Sequence, residues 1–267
     1  MGSPPKPPRR PSTFATFTAT LYIFFGTLFF AGSAVVLGWL PARRKIMLWL
    51  ARRWARGLML SAGARLSATF EAPLDSTKRY VLLANHQSYM DIPALLPVVP
   101  VKVRFAAKRS LFRIPIFGWS LLVGGFIPID RDDKSKAGQA FQQAASLLAD
   151  GESVLFFPEG TRSHDGRLGP FARGGFLVAL KSGLPIVPVG LRGLRDVQPR
   201  GRFAVSPGPV VAAFGTPIDP AAYGVRRREE LMRDVRAKIA ELADLERSEE
   251  AGTSEAPAAI DPAGASV

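Results

Sequence analysis

Between residues 80 and 189, short apolar runs alternate with stretches of helical periodicity. The runs at 80–84, 103–107, 126–129, 153–157 and 185–189 have strand length and predict strands. Helical spacing falls between or beside them, at 92–96, 116–122, 135–148 and 174–180. Such alternation predicts an α/β fold, a mainly parallel sheet flanked by helices. The runs 203–206 and 210–214 flank Pro207-Gly208-Pro209 and predict an antiparallel hairpin at one edge. Two prolines in 184–189, Pro185 and Pro188, place that run at an edge or wall rather than in the middle of the sheet. Residues 226–245 predict a final helix, and the Ala-, Pro-, Ser- and Glu-rich stretch 246–267 a disordered tail.

The pattern upstream is different. Residues 1–12 are proline-rich and basic, and predict an extended leader. Residues 14–40 carry no charge. As a helix this run reaches about 40 Å, against about 30 Å of bilayer hydrocarbon. It predicts a membrane-embedded helix, either spanning with tilt or re-entrant through a break at Gly26, Gly32 or Gly38. A cleaved signal peptide ending near Ala31-Gly32-Ser33 and a buried core helix are the competing readings. Residues 41–60 are basic and aromatic. Ile46, Met47, Leu50, Trp54 and Leu58 share one side of a helical wheel, opposite Lys45, Arg52 and Arg56. This partial amphipathicity suits a helix in the headgroup layer, and equally a solvated helix packed on the domain. The basic excess behind the apolar run orients the following domain to the cytoplasmic side.

Charge sharpens this picture. A net charge of +13 in 267 residues calls for a polyanionic partner, a nucleic acid or an anionic membrane surface. The basic residues lie beside an apolar segment and no nucleic-acid motif is present, so the membrane is the expected partner. There is no cysteine, which excludes disulfides, thiolate metal sites and a cysteine nucleophile. With only His86 and His164, a histidine-rich zinc site is not expected.

The candidate chemistry sits behind the predicted strands. After 80–84 comes Asn85-His86-Gln87-Ser88-Tyr89-Met90-Asp91. A five-residue separation puts His86 and Asp91 about 140° apart on a helix, so they meet only if His86 lies in the loop and Asp91 in the first helical turn. A histidine oriented by a carboxylate is a general base. Read alone, the pair is more simply a loop histidine beside a helix cap. After the 153–157 strand comes Phe157-Pro158-Glu159-Gly160-Thr161-Arg162-Ser163. Gly160 permits a tight turn, Thr161 adds a hydroxyl donor, and Arg162 offers a fork for a phosphate. Glu159 has two readings: partner of Arg162, or acceptor for substrate hydroxyls. Arg131 ends Phe126-Ile127-Pro128-Ile129-Asp130-Arg131 and serves either a phosphate or a salt bridge to a neighbouring aspartate. Lys108, with Arg104 and Arg109, forms a further basic stretch, and His164 reads as a loop residue.

Taken together, the four stretches resemble the glycerolipid acyltransferase family, the one that contains the 1-acylglycerol-3-phosphate acyltransferases. The match rests on Asn85, His86 and Asp91; on Phe126, Ile127 and Arg131; on 157–162; and on the proline-bearing run 184–189. It covers about 80–189, and Pro128 inside the second motif is a small departure. The resemblance implies transfer of a fatty acyl group from a thioester, acyl-CoA or acyl carrier protein, to the free hydroxyl of 1-acylglycerol-3-phosphate, giving phosphatidic acid with no cofactor. Other lyso-lipid acceptors, or anionic-lipid binding without turnover, are the alternatives. His86 is implied as the base and Asp91 as its orienting carboxylate. Arg131 and Arg162 are implied to hold the phosphate, with Glu159, Gly160 and Thr161 shaping the glycerol site and Asn85 supporting the loop among the substrate-binding residues. The expected organisation is a leader at 1–12, a membrane-anchoring region at 13–62, the acyltransferase domain at 63–245 and the tail at 246–267, on the cytoplasmic side of the cell membrane.

Overall fold

A computed structural model describes residues 10–40, 43–129, 148 and 151–245. Among these, seven strands form one sheet in the order β1-β7-β6-β2-β5-β3-β4. The strands are β1 (Ala64–Phe70), β2 (Val81–Ala84), β3 (Val103–Lys108), β4 (Ile127–Ile129), β5 (Ser153–Phe156), β6 (Ile186–Arg192) and β7 (Gly208–Phe214). Every neighbouring pair is parallel except β6 with β7. The mainly parallel α/β fold is therefore present. The 135–148 helix and the 246–267 tail lie outside the described residues, apart from Leu148.

Side-chain alternation along β2 divides the core. Val81 and Leu83 point to one face, Leu82 and Ala84 to the other. The first face is covered by helix α6 (Gly174–Ser182) through Phe176, Val178 and Ala179, and by the C-terminal helix α7 (Arg228–Leu242). Leu231, Val235 and Ile239 recur every fourth residue in α7, which makes one apolar stripe. The opposite face is covered by α3 (Arg43–Ser61) and the short helix α4 (Asp91–Leu95).

Three sequence expectations are corrected. The 184–189 run is not at an edge: β6 lies between β2 and β7. Its proline is tolerated because of where the missing donor falls. The Pro188 carbonyl accepts from Gly215 N at 2.9 Å, so its nitrogen also faces the β7 side. There the pairing is interrupted, between the Ile186–Ile218 bridge and the Val189–Phe214 start of the ladder. The 203–214 hairpin does not form. Only Gly208–Phe214 is a strand, and Val205 spends its main chain elsewhere: its carbonyl accepts from Ser12 N (2.9 Å) and its N–H donates to Thr16 Oγ1 (3.1 Å). Finally, β1 lies outside the strands expected from the apolar runs. It is half-buried and pairs with β7 from Ala64↔Gly208 to Phe70↔Phe214.

The N-terminal apolar run is one long helix, Thr13–Leu37, made of α1 (Thr13–Leu21), a π turn (Tyr22–Gly26) and α2 (Thr27–Leu37). Ser12 caps it, accepting from Ala15 N. The π turn has a packing consequence. The buried side chains of the helix are small: Ala15, Ala19, Ala31 and Ala34. In an uninterrupted α-helix, Ala31 would lie about 120° around the axis from Ala19. A π turn absorbs roughly one residue, which brings the two within about 20°. All four alanines therefore face inward, and α3 packs antiparallel along the helix. Gly57 of α3 makes the approach possible, since a Cβ there would stand 2.0 Å from the Tyr22 hydroxyl. Trp54 Nε1 donates to Thr27 Oγ1 (3.0 Å) and Thr18 Oγ1 to the Ser61 carbonyl (2.6 Å).

Helix α3 follows the helical wheel in part. Met47, Leu50, Ala55, Leu58 and Met59 are buried, while Lys45, Trp49, Arg53, Arg56 and Leu60 are exposed. Arg52, expected on the polar side, is half-buried. It donates to the Leu96 (3.2 Å) and Val99 (2.7 Å) carbonyls and so closes the C-terminal end of α4. Outward from the hairpin of helices, Phe14, Phe17, Phe24, Phe25, Phe29, Val36 and Trp39 are exposed. The surface continues onto α5 (Phe117–Val123), packed against α2, with Trp119 and Leu122.

Candidate active site

Parallel strands bring their carboxyl ends to one edge of a sheet, where the following loops converge. β2 and β5 are neighbours, and β6 lies on the other side of β2. The residues that follow these three strands are Asn85–Asp91, Phe157–Ser163 and the stretch after Arg192, and side chains lace them together. Asn85 is wholly buried. Its Nδ2 donates to the Leu191 carbonyl (3.0 Å) and its Oδ1 accepts from Leu191 N (2.7 Å). Asn85 thus ties the end of β2 to the end of β6 with both ends of its amide, as a loop support. Ser163 N donates to the His86 carbonyl (2.8 Å), and Ser88 Oγ to the Gln198 carbonyl (2.8 Å).

His86 precedes the helix, and Asp91 is the first residue of α4. Asp91 Oδ2 lies 2.5 Å from His86 Nδ1 and also accepts from Gln87 N (2.7 Å) and Ser88 N (3.1 Å). The bond to Ser88 N closes the loop ahead of the helix, whose N-cap is Met90. Asp91 is 0% and His86 8% exposed. The imidazole stacks on Phe157, with ring centroids 4.1 Å apart and planes at 19°. With Nδ1 held on the carboxylate, Nε2 is the nitrogen that can take a proton, and no described residue bonds it.

Glu159 does not pair with Arg162 and bonds main-chain amides instead. Its Oε1 accepts from His86 N (2.7 Å) and its Oε2 from Gly169 N (2.8 Å). It fixes the backbone of His86 and of Gly169. Its carboxyl is raised above the ordinary glutamate range, chiefly by burial. The two backbone donors and Arg236 oppose the rise, and Asp91 adds to it.

Gly160 takes φ +68° with open space where a Cβ would stand, which shapes the turn that presents Thr161 and Arg162. The Arg162 guanidinium lies over the Tyr89 ring, 3.4 Å from its centroid. Its Nη1 is buried and finds no acceptor among the described residues. Arg131 lies outside the described residues. β4, which ends at Ile129, runs parallel to β3, so its carboxyl end is on the same edge of the sheet as that of β2. Arg104 is structural: it pairs with Glu152 and donates to the Gly124 carbonyl. His164 is exposed in the loop.

Residues 65–192 match the acyltransferase family model. A 1-acyl-sn-glycerol-3-phosphate acyltransferase of Haemophilus influenzae is 30% identical over 172 residues, covering 64% of this chain and 71% of that one. The chain belongs to the acyltransferase family. The chloroplastic 1-acyl-sn-glycerol-3-phosphate acyltransferase LPAT1 of Arabidopsis thaliana is 35% identical over 83% of this chain. The chain spans 61% of the length of that relative and 62% of a chloroplastic Brassica napus relative. The crystal structure of the 1-acyl-sn-glycerophosphate acyltransferase PlsC of Thermotoga maritima superposes with a TM-score of 0.73 at 26% identity, covering 89% of this chain and 97% of that one.

In this acyltransferase fold, two contacts of the site escape the motif pattern. Phe157 was part of a motif, but its stacking on His86 follows from strand adjacency that sequence does not display. Arg200 lies far from every motif. Its Nη1 donates to Thr161 Oγ1 (3.3 Å) and to the Arg162 carbonyl (2.5 Å). The only trace in the sequence is a basic cluster behind the fourth motif: Arg192, Arg195, Arg200 and Arg202.

Proposed function

We propose that the protein transfers a fatty acyl group from an acyl thioester to the free hydroxyl of 1-acylglycerol-3-phosphate, producing phosphatidic acid at the membrane. The observation that carries this reading is the His86–Asp91 pair opposite a turn that presents Arg162. His86 Nε2 accepts the proton of the acceptor hydroxyl as that oxygen attacks the thioester carbonyl. Asp91 holds the tautomer and stabilises the imidazolium. The oxygen–carbon bond forms, the carbon–sulfur bond breaks, and the imidazolium returns its proton to the departing thiolate. No covalent acyl-enzyme is needed. Arg162, and Arg131 beyond β4, bind the acceptor phosphate. Purified protein should transfer radiolabelled acyl groups to 1-acylglycerol-3-phosphate when acceptors are crossed with acyl-CoA and acyl carrier protein donors. Transfer to neutral monoacylglycerol at an equal rate would remove the phosphate from the reading.

The same surface supports a reading of membrane attachment. The apolar helix does not stand apart from the domain: Ser12, Thr18, Thr27 and the inward alanines bind it along its length. A spanning pose would draw the exposed Lys45, Arg53 and Arg56 of α3 into hydrocarbon, at about 2.5–3.5 kcal/mol each or more. Embedding only the outward face buries five phenylalanines at about 1.5–3 kcal/mol each, with those basic groups left for anionic headgroups. The helix then lies in one leaflet, and both its ends face the cytoplasm. The protein has no native cysteine, so Arg10→Cys and Leu40→Cys can be probed singly with a membrane-impermeant maleimide. Both should label from the cytoplasmic side. Labelling from opposite sides would establish a span.

A further inference from the structure

Arg200 reaches the phosphate-site turn from a loop 38 residues further along the chain, and one of its nitrogens secures that turn at both Thr161 and Arg162. Its Nε and Nη2 have no acceptor among the described residues. The Arg162 guanidinium is held flat on Tyr89, with Nη1 buried and without an acceptor. No described carboxylate pairs with either arginine. The carboxylates of the adjoining loops bond elsewhere: Glu159 to the His86 and Gly169 amides, Asp91 through Oδ2 to His86, Gln87 and Ser88, and Asp165 to Ser163 and the Arg167 amide. Both arginines at this turn therefore keep N–H groups that an anion can accept from.

We propose that Arg200 is a specificity-determining residue that, with Arg162, selects acceptors bearing a dianionic phosphate monoester over lyso-lipids whose phosphate is a monoanionic diester. The inference rests on the acyltransferase reading above and deepens it. A phosphate monoester carries about −1.5 to −2 charges near pH 7 and three terminal oxygens, because its second pKa is about 6. A headgroup diester carries one charge and two terminal oxygens. Two forks can both be satisfied by the monoester, whereas the diester leaves one under-used. The guanidinium of Arg200 does not enter proton transfer, which belongs to His86.

The test uses the full-length protein with Arg200→Gln and Arg200→Lys, and two acceptors sharing an acyl chain: 1-acylglycerol-3-phosphate and 1-acylglycerophosphocholine. Acyl transfer is measured with the acceptor varied, and acceptor binding is measured separately in detergent micelles. Wild type should prefer the monoester, and its binding preference should shrink as pH falls below about 6. Arg200→Gln should lose about ten- to a hundredfold in kcat/KM for the monoester, carried by KM, and no more than about threefold for the diester. Arg200→Lys should keep part of the preference. An equal loss on both acceptors, or a loss in kcat alone, would overturn the proposal and leave Arg200 as a brace for the turn. Binding that follows the predicted preference without any acyl transfer would sink the enzymatic reading while sustaining the selectivity. Transfer without a wild-type preference would do the reverse.

Discussion

His86→Ala is expected to reduce acyl transfer by about 10²–10⁴-fold, the range for loss of a positioned general base. The fall should be in kcat, because His86 touches no part of the proposed phosphate site. Folding should survive: the main-chain bonds that hold the loop, His86 N to Glu159 and Ser163 N to the His86 carbonyl, do not involve the imidazole. Asp91→Asn should be at least as damaging. Asp91 Oδ2 accepts from the imidazole and from two backbone amides at once. An amide must either face those donors with its oxygen and keep no charge for the imidazolium, or turn its NH2 against them. Steady-state assays of both variants, with cooperative unfolding confirmed for His86→Ala, check this. Near-full turnover in the histidine variant would remove His86 from the reaction.

The second large effect is expected at a residue that touches no substrate in this reading. Glu159→Ala leaves the His86 and Gly169 amides without their acceptor, at about 1–3 kcal/mol for each buried donor. It also frees the backbone of the base, and a displacement on the order of 1 Å can cost about 10²-fold in rate. Activity should therefore fall about a hundredfold together with a lowered melting temperature. Glu159→Gln keeps one acceptor oxygen and should recover part of both. The charge has a further signature. A carboxyl raised by burial favours the folded state below its unfolded value and surrenders that contribution as pH rises through the folded value. The glutamine variant should consequently close part of its stability gap to wild type as pH rises through that window. A Glu159→Ala protein with wild-type kcat would show that the backbone of His86 needs no such clamp.

Much of this was legible before any coordinates, for reasons that can be named. His86 and Asp91 could meet only across a loop-to-helix boundary, and a five-residue spacing dictates that boundary. The strands carrying the site are short, apolar and buried on both faces, so they announce themselves. What stayed hidden depended on lateral placement. Pro188 reads as an edge signal, yet the sheet accepts it centrally because the missing donor points into a break in the pairing with β7. Strand β1 carries a plain alternation, Leu66, Ala68 and Phe70 against Arg65, Ser67 and Thr69. It is half-buried, and its partner β7 lies over a hundred residues away. The loop around Val205 looked like a hairpin arm because the main-chain partners it prefers, Ser12 and Thr16, lie near the other end of the chain. Glu159 and Asn85 were recognised as important, but their bonds are to main-chain atoms, which a list of residue types does not reveal.

The bond between Val205 and the start of the apolar helix has a practical side for anyone preparing this protein in water. Pruning the helix at residue 43 would withdraw Ala15 and Ala19 from the core and leave the Val205 amide and carbonyl bare. The loop so loosened is the one that carries Gln198 to Ser88 and Arg200 to the Thr161–Arg162 turn. The greasy segment is thus also a beam of the building. A detergent-free form is better sought by repainting the outward side chains Phe14, Phe17, Phe24 and Phe29 with polar ones, while the inward alanines, Tyr22 and Thr27 stay as they are.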